Sequence, residues 1–308
     1  MSGRSGLLGP PPASPDPSLA FAPDLLGQVL NGLAYGALLY LLSVGLTLIF
    51  GMLDVVNLAH GSYYMLGAYA GLSLIAATGS FWVALAVAPL VVALVGALVE
   101  RSCLRPLYRR GPLDQVLLTF GLIYVFEDLV KWIWGGRIRS IPTPALFSGS
   151  VTVLGATVPS YRLFVIGFGL AMAVVLWALI EKTRLGAIIR AGVFDPEMTA
   201  GLGIDIQRVF TSVFAFGAGL AGLSGVIAGP IQSAYPPMGA SILVPALIVV
   251  VVGGLGSLKG SLAGSLIIGQ AETFGKAWLP GASMLIIYVV MALILLFRPQ
   301  GLFGRPLK

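Results

Sequence analysis

Charged residues are scarce in this sequence: Lys, Arg, Asp and Glu make up 10% of its 308 residues. A typical soluble domain contains about 25% charged residues. Hydrophobic residues amount to 57%, and the mean hydropathy is +0.97. So little polar surface cannot cover a water-soluble globule, and so much hydrophobicity excludes a disordered chain. The composition therefore predicts an all-α fold, a polytopic helical bundle integral to a lipid bilayer.

Cysteine and histidine occur once each, as Cys103 and His60. A single cysteine forms no intrachain disulfide, and a single histidine excludes any metal site that needs two imidazoles. The sequence also lacks the G-x-x-x-x-G-K-[ST] phosphate loop and the G-x-S-x-G motif of serine hydrolases. We therefore expect no catalytic residue, no metal and no cofactor, and we assign any ATP hydrolysis to a separate subunit.

The domain organisation follows from where apolar residues begin and end. Residues 1–24 are rich in proline and are predicted to form a disordered tail. Residues 25–298 are predicted to form the membrane domain, and residues 299–308 a cytoplasmic tail. Runs of about 20 apolar residues suit a bilayer, and we place them near 25–50, 58–77, 81–100, 115–134, 161–180, 209–229, 242–258, 261–278 and 283–297. The prediction is eight spans if 58–77 is re-entrant and nine if it crosses.

The net charge of +6 comes from basic residues that cluster in short loops. Loops 101–110 and 181–208 and the C-terminal tail hold most of them. Cytoplasmic loops of membrane proteins carry the excess of Lys and Arg, so these segments are predicted to be cytoplasmic. This explanation is simpler than nucleic-acid binding, which we do not expect. The predicted location is the cytoplasmic (inner) membrane of a bacterium, with several passes.

The segment 54–69 is the richest in side chains capable of function, and Asn57, His60 and Gly61 are its candidate residues for a substrate path. An Asn side chain can donate and accept hydrogen bonds, and a Gly lets another backbone approach closely. The alternative is a capped helix start, with Asp54 or Asn57 bonding free N–H groups and His60 serving only in packing.

A second candidate for the path is the glycine-rich break at 249–266. Breaks in a helix at membrane depth persist only against protein or a water-filled cavity. Its candidate residues are Gly253, Gly254, Gly256 and Ser257. The alternative is a tight turn between two helices that pack through small residues.

Glu127, Asp128 and Glu272 fall inside apolar runs, where ionisable groups are functional candidates. Glu127 and Asp128 can both reach Lys131 on one helix face, and the following Trp132 and Trp134 favour an anchor near the membrane surface. Glu272 has no evident partner in the sequence and is the better candidate for an intramembrane polar role.

The loop 181–208 contains a strong helix start, because Asp195 can cap, Pro196 suits the first position and Glu197 favours the first turn. Gly201 or Gly203 can end this short helix. Such a helix suits docking into a groove of a partner protein. The alternative is a helix that lies on the lipid surface.

Several separated motifs resemble the LivH-type permeases of branched-chain amino acid ABC importers. They lie at 31–36, 45–51, 56–61 and 65–69, at 183–204, at 252–257 and at 298–304. The resemblance covers nearly the whole chain from residue 31 to residue 304. The Pro-rich tail departs from the family pattern.

The resemblance implies a permease subunit that pairs with a second, LivM-like permease, with two ATP-binding subunits and with an external solute-binding protein. It implies a path for a small polar solute such as a branched-chain or other amino acid. It assigns the contact with the ATPases to a coupling loop whose residues are Arg184, Gly186, Arg190, Asp195, Pro196, Glu197, Ala200, Gly201 and Gly203. The alternative function is a stand-alone secondary transporter or channel, which would use Glu127, Asp128 or Glu272.

Overall fold

The computed structural model describes residues 17–108, 110–153 and 155–304, and helices dominate it. A bilayer offers the backbone no hydrogen bonds, so apolar runs satisfy their own as helices. The helices are α1 (Pro17–Leu53), α2 (His60–Thr78), α3 (Phe81–Val99), α4 (Pro112–Trp134), α5 (Ser160–Lys182), α6 (Arg184–Phe194), α7 (Pro196–Gly201), α8 (Ile206–Gln232), α9 (Met238–Gly253), α10 (Leu258–Trp278) and α11 (Ser283–Phe297). The all-α prediction is confirmed for the architecture as a whole.

The nine predicted apolar runs each coincide with a helix, and α6 and α7 are added within the loop 181–208. Among the described residues, four helical stretches are long and apolar enough to cross a membrane: Leu25–Leu53, Phe81–Leu107, Ser160–Lys182 and Ile206–Gln232. The apolar helices Met238–Gly253 and Leu285–Phe297 are shorter. The chain is thus a multi-pass membrane protein, while the predicted total of eight or nine spans is not confirmed by helix length.

The structure describes only part of each predicted tail, residues 17–24 of the first and residues 299–304 of the second. Helix α1 begins at Pro17, earlier than the predicted boundary at residue 24, because proline is well tolerated in the first turn and the apolar residues that follow it favour helix. The stretch of this helix that is long and apolar enough to cross a membrane is Leu25–Leu53, and the predicted domain boundary stays a prediction. Residues 1–16 and 305–308, which hold the rest of both predicted tails, lie outside the described residues.

Helix α1 is the centre of the bundle. In its most apolar stretch 83% of the residues are buried, against 22% for the span that contains α3 and 28% for α5. Helices α10, α8, α5 and α9 pack around α1, and α3 packs on α8 from outside. The apolar faces of α3 and α5 therefore face outward, where a membrane protein presents lipid-compatible side chains.

Close backbone approach joins α2 to α8. A Cβ on Gly67 would lie 2.1 Å from the carbonyl oxygen of Gly222, and a Cβ on Gly225 would lie 1.9 Å from that of Tyr64. No larger residue fits at either position without moving a helix. Small residues at helix contacts replace the hydrophobic driving force that lipid removes, so this seam holds the two helices together.

The helix α3 continues into a π-helical turn, Glu100–Leu104, and a 3-10 turn, Arg105–Leu107. Glu100 is fully buried there and has several partners. Its carboxylate accepts hydrogen bonds from the Tyr108 hydroxyl at 3.0 Å and the Thr211 hydroxyl at 2.8 Å, and pairs with Arg105 at 3.2 Å. Arg105 also donates to Thr211. These contacts fasten the end of α3 to α8.

A small hairpin lies in the loop before α5 and departs from the purely helical prediction. Strand β1 (Ser150–Val153) pairs antiparallel with β2 (Ala156–Pro159), with Ser150 opposite Pro159. Gly155 has a φ of 88° in the turn. β-Branched residues on both sides of a turn glycine favour a hairpin, and the segment is too short and too polar for a span.

Candidate functional site

The chain between α1 and α2 turns back along α1. Asp54 has a φ of 52° and an exposed side chain, and the following residues are not helical. The His60 Nε2 atom lies 3.0 Å from the carbonyl oxygen of Leu42, which lies well inside α1. Helix α2 therefore begins beside the middle part of α1 rather than at its end.

Asn57 and His60 are both fully buried at this start of α2. The Oδ1 atom of Asn57 accepts a hydrogen bond from the backbone N–H of Ala59 at 3.1 Å. Within the described residues, Nδ2 of Asn57 and Nδ1 of His60 have no hydrogen-bond partner. The bond from Ala59 to Asn57 forms a turn just before α2, whose N-cap residue is Ala59 and which has no side-chain cap. A role for either side chain in a substrate path stays a prediction.

Gly61 brings the first turns of α2 and α9 into contact. A Cβ at Gly61 would lie 2.1 Å from the carbonyl oxygen of Gly239, so the two backbones touch. Helices α2 and α9 both pack on α1 as well. The structure therefore places Gly61 at a three-helix junction, where only glycine fits.

The glycine-rich break forms the turn between α9 and α10. Helix α9 ends at Gly253, and the φ values of Gly254 and Gly256 are 100° and 77°. Ser257 caps α10 by accepting a hydrogen bond from the N–H of Gly260 at 3.1 Å. This is the tight helix-to-helix turn that the sequence offers as one of its two alternatives.

The C-terminal segment closes over this turn. The N–H of Leu302 donates to the carbonyl of Val252 at 2.8 Å, and the N–H of Phe303 donates to that of Gly253 at 3.0 Å. The end of a helix leaves carbonyls without partners, and these bonds satisfy two of them. The break is therefore packed against protein on this side.

The loop 181–208 contains a helix that sequence analysis missed, α6. Thr183 caps it by accepting a hydrogen bond from the N–H of Gly186 at 3.2 Å. Arg190 donates to the carbonyl of Ile180 and lies 3.6 Å from the Glu181 carboxylate. Thr183 three residues before Gly186 was the sequence signal for this start, and the following apolar spacing supports the helix.

Helix α7 is the short helix that the sequence predicts, with Asp195 as its cap. The Asp195 carboxylate accepts a hydrogen bond from the N–H of Met198 at 2.9 Å, Pro196 is the first residue, and Glu197 lies in the first turn. The helix ends at Gly201, after Ala200. Gly203 has a φ of 82° and turns the chain toward α8.

Helices α6 and α7 and the residue that follows α7 expose apolar side chains. Four large hydrophobic side chains are each more than 60% exposed: Leu185 (64%), Phe194 (80%), Met198 (66%) and Leu202 (74%). We call these four residues the α6–α7 surface. Arg184, the first residue of α6, lies beside Leu185 in the chain. Several large apolar side chains exposed in one loop are typical of a contact with a partner or with lipid.

Two adjoining cavities contain polar side chains that the predicted path residues do not include. The larger has a volume of about 750 Å³ and lies among α1, α8, α9, α10 and α11. The smaller, of about 160 Å³, lies among α1, α5, α8 and α10. Glu272, a candidate from the sequence, lines both. Tyr35 and Lys276 line both as well and were missed. Tyr35 is far from Glu272 in the sequence, whereas Lys276 follows Glu272 at the i,i+4 spacing of a helical ion pair, and that spacing was a local signal for it.

The acidic pair in α4 behaves as a surface cluster. Lys131 lies 2.8 Å from the Glu127 carboxylate and 3.3 Å from that of Asp128, and the side chain of Asp128 is 77% exposed. Trp132 is 84% exposed beside them. The arrangement agrees with the anchor that the sequence favours.

The part of the chain that the structure describes has no group of three His, Cys, Asp or Glu side chains able to hold a metal ion.

Burial, the neighbouring Glu100 carboxylate and its hydrogen bond raise the pKa of Tyr108 above its ordinary value. The phenol therefore stays neutral and can keep donating to Glu100.

Comparison with known proteins places the chain in a family. Residues 28–295 match the family described as branched-chain amino acid transport system / permease component. The chain is 30% identical to the high-affinity branched-chain amino acid transport system permease proteins BraD of Pseudomonas aeruginosa and LivH of Escherichia coli K12, in each case over 91% of this chain and 96% of the relative. It is 28% identical to the corresponding LivM protein of Escherichia coli K12, over 85% of this chain and 67% of the relative. The chain belongs to the branched-chain amino acid transport system permease component family.

Proposed function

We propose that the chain is a transmembrane permease subunit of an ABC importer, and that with a second, LivM-like permease it forms the path for a small polar solute, a branched-chain or other amino acid. Family membership and the names of the relatives support the transport role. The observation that carries the dependence on partner subunits is the exposed α6–α7 surface on the side predicted to be cytoplasmic.

Helix directions support nine spans with an external N-terminus. Arg162 at the start of α5 donates to Asn31 in α1, and Gly192 of α6 packs near Met52 at the other end of α1. Helices α1 and α5 therefore run in the same direction, and α1 ends on the side of the loop 181–208. If that loop is cytoplasmic, α2 crosses the membrane toward the outside, and the remaining apolar helices cross in alternating directions. The membrane is then the bacterial inner membrane, and an external solute-binding protein delivers the solute.

The α6–α7 surface is the proposed dock for one of two ATP-binding subunits, and the second permease docks the other. Arg184, Gly186 and Arg190 shape α6, while the residues of and around α7 that present the surface are Asp195, Pro196, Glu197, Ala200, Gly201 and Gly203. A short capped helix with apolar side chains fits a groove in a partner. ATP hydrolysis then belongs to those subunits.

Tight packing connects this dock to the bundle. A Cβ on Gly192 would lie 2.9 Å from the Met52 methyl group and 3.0 Å from Ile206, so α6 bears directly on α1 and α8. A shift of α6 must displace one of these two helices, since the interior is close-packed. Such a shift is a means of coupling ATP binding to alternating access of the path.

Asn57, His60, Gly61 and the turn residues Gly253, Gly254, Gly256 and Ser257 are proposed to lie near that path. Support comes from their common neighbour: α1 packs against α2, α9 and α10. A Cβ on Gly51, near the end of α1, would lie 3.0 Å from the Cα atom of Gly256. Any rearrangement of α1 therefore reaches both segments.

The decisive experiment is reconstitution with purified partner subunits. ATP-dependent uptake of leucine by the complete assembly, and none by this chain alone, is the expected result. Uptake by this chain alone would show a stand-alone transporter or channel and overturn the proposal.

A matched pair of variants tests the dock. Met198→Asp places a charge in the α6–α7 surface and is expected to abolish co-purification of the ATPase, because burying an unpaired charge is costly. Leu146→Asp is the control, since Leu146 is 74% exposed in the loop before α5 and lies outside the proposed dock. Equal ATPase recovery with both variants would exclude α7 as the dock.

A further inference from the structure

The larger cavity is lined by both polar and apolar side chains. We call Glu272, Lys276, Tyr35 and Gln232, from α1, α8 and α10, its polar end. We call the side of α9 and α11, which includes Ile242, Val244 and Ile287 together with the polar Ser241, its apolar wall. A volume of about 750 Å³ lies in the ~300–1,000 Å³ range of small-molecule sites, which are mostly apolar with a few well-placed polar groups.

The carboxylate of Glu272 has an unused oxygen. Lys276 donates to its Oε1 atom at 2.6 Å, whereas Oε2 is buried and has no hydrogen-bond partner among the described residues. The side chain of Glu272 is only 13% exposed. Leaving a buried charged acceptor unsatisfied is unfavourable, so a ligand N–H group that reaches Oε2 gains a charge-assisted hydrogen bond.

Lys276 supplies the opposite charge at the same end. Its side chain is 64% exposed and its Nζ atom lies 5.7 Å from the centre of the Tyr35 ring. An ammonium group has three donors, and Glu272 uses one of them. Arg162, held by Asn31, lines the adjoining smaller cavity with Lys276. Positive and negative groups thus stand side by side where a ligand with both charges could reach them.

Helix α9 adds a backbone acceptor to the wall. Pro245 lies inside the helix and cannot donate to the carbonyl of Ser241, which therefore lacks its usual helical donor. Ser241 and Pro245 both line the larger cavity. Freed carbonyls in interrupted helices are common features of solute sites in transporters.

We propose that the larger cavity binds an aliphatic α-amino acid in its zwitterionic form, with the ammonium group on Glu272 Oε2, the carboxylate on Lys276 and the aliphatic side chain against Ile242 and Ile287. This inference rests on the proposed transport function and gives it a site. The paired charges select against a neutral amide or urea, and the apolar wall selects for an aliphatic side chain.

Thiol labelling in the assembled importer tests the site directly. Ser241 is exposed at the cavity wall, so Ser241→Cys in a Cys103→Ser background provides one reactive thiol. Leucine is expected to slow the reaction of this thiol with a charged methanethiosulfonate in a saturable way. 4-Methylpentanoate, which lacks the ammonium, and isopentylamine, which lacks the carboxylate, should each protect more weakly, and urea should not protect.

The variant Glu272→Gln should raise the leucine concentration for half-protection by about tenfold to a hundredfold, the range for one hydrogen bond to a charged group. Glu127→Gln is the matched control, because Glu127 pairs with Lys131 at the same i,i+4 spacing and 2.8 Å but lines neither cavity. It should leave half-protection unchanged. Absence of protection by leucine, equal protection by 4-methylpentanoate, or an unchanged value in Glu272→Gln would each overturn the proposed site.

Uptake measurements on the same preparations show whether a negative result concerns only the proposed site or the proposed transport function as well. ATP-dependent leucine uptake that is unaffected by Glu272→Gln leaves the importer assignment standing and removes the site. Absence of ATP-dependent uptake in the unaltered assembly, together with uptake by the chain alone, removes the importer assignment.

Discussion

Glu100 and Glu272 are two carboxylates in apolar helices, and their surroundings differ. Glu100 is fully buried, and Arg105, Tyr108 and Thr211 all bind it. Glu272 lines a cavity, pairs with Lys276 and keeps one oxygen without a partner within the described residues. The first carboxylate has no capacity left for a ligand, whereas the second has.

The difference teaches how to assign roles to ionisable groups in a membrane protein. Burial alone marks both residues as exceptional. The completeness of the hydrogen-bonding shell separates them, because a satisfied network rigidifies a contact and an unsatisfied group calls for an explanation. On this criterion Glu100 joins α3 to α8, and Glu272 belongs to a binding site.

The largest expected effect is the loss of stability in Glu100→Ala. Removing one partner of a buried ion pair leaves the other charge uncompensated and typically costs about 3–5 kcal/mol. Arg105 is 26% exposed, so we expect a value near the lower end, ~3 kcal/mol. Denaturant unfolding in detergent measures it. A variant as stable as the unaltered protein would remove the basis of the comparison.

A smaller effect is expected from Tyr108→Phe, which deletes one donor to Glu100 and should cost about 1 kcal/mol. The pKa of Tyr108 is raised above 10.0 in the folded protein, so folding favours the neutral phenol. The stability that this shift contributes is complete below the unfolded pKa and is lost as pH rises through the folded pKa. The stability difference between the two proteins should therefore be constant from pH 7 to 9 and shrink in more alkaline solution. A difference that instead grows there would contradict the assigned partner.

The smallest expected effect on stability belongs to Glu272→Gln. The Lys276 side chain is largely exposed, and exposed ion pairs contribute about 0–1 kcal/mol. The amide keeps an acceptor for Lys276, so unfolding should shift by less than about 1 kcal/mol while leucine protection falls. A loss as large as that of Glu100→Ala would show that both carboxylates are structural and would end the distinction.

The sequence was sufficient for the apolar helices and for the family, but not for α6. A long apolar run in lipid can satisfy its backbone hydrogen bonds only by forming a helix, so each predicted run overlaps a helix in the structure. Asp195 followed by Pro196 predicted the start of α7, because capping and proline chemistry act within a few residues. Glu272 also stood out, because a charge in an apolar run is conspicuous.

What the sequence did not reveal depends on contacts between distant segments. The partners of Glu100 include Thr211, and the cavity of Glu272 needs Tyr35 from α1 and Ser241 from α9. The glycines at 253–257 suggested a path as readily as a turn, since both need small residues. In the structure they form a turn that Leu302 and Phe303 close, and their place beside the path stays a proposal.

That closure has a consequence for how the protein is made. The last carbonyls of α9 take their donors from Leu302 and Phe303, which follow α11 in the chain and are synthesised after it. During synthesis the corner between α9 and α10 is therefore open while α11 is inserted. Completion of this corner therefore waits until the segment that follows α11 has been synthesised.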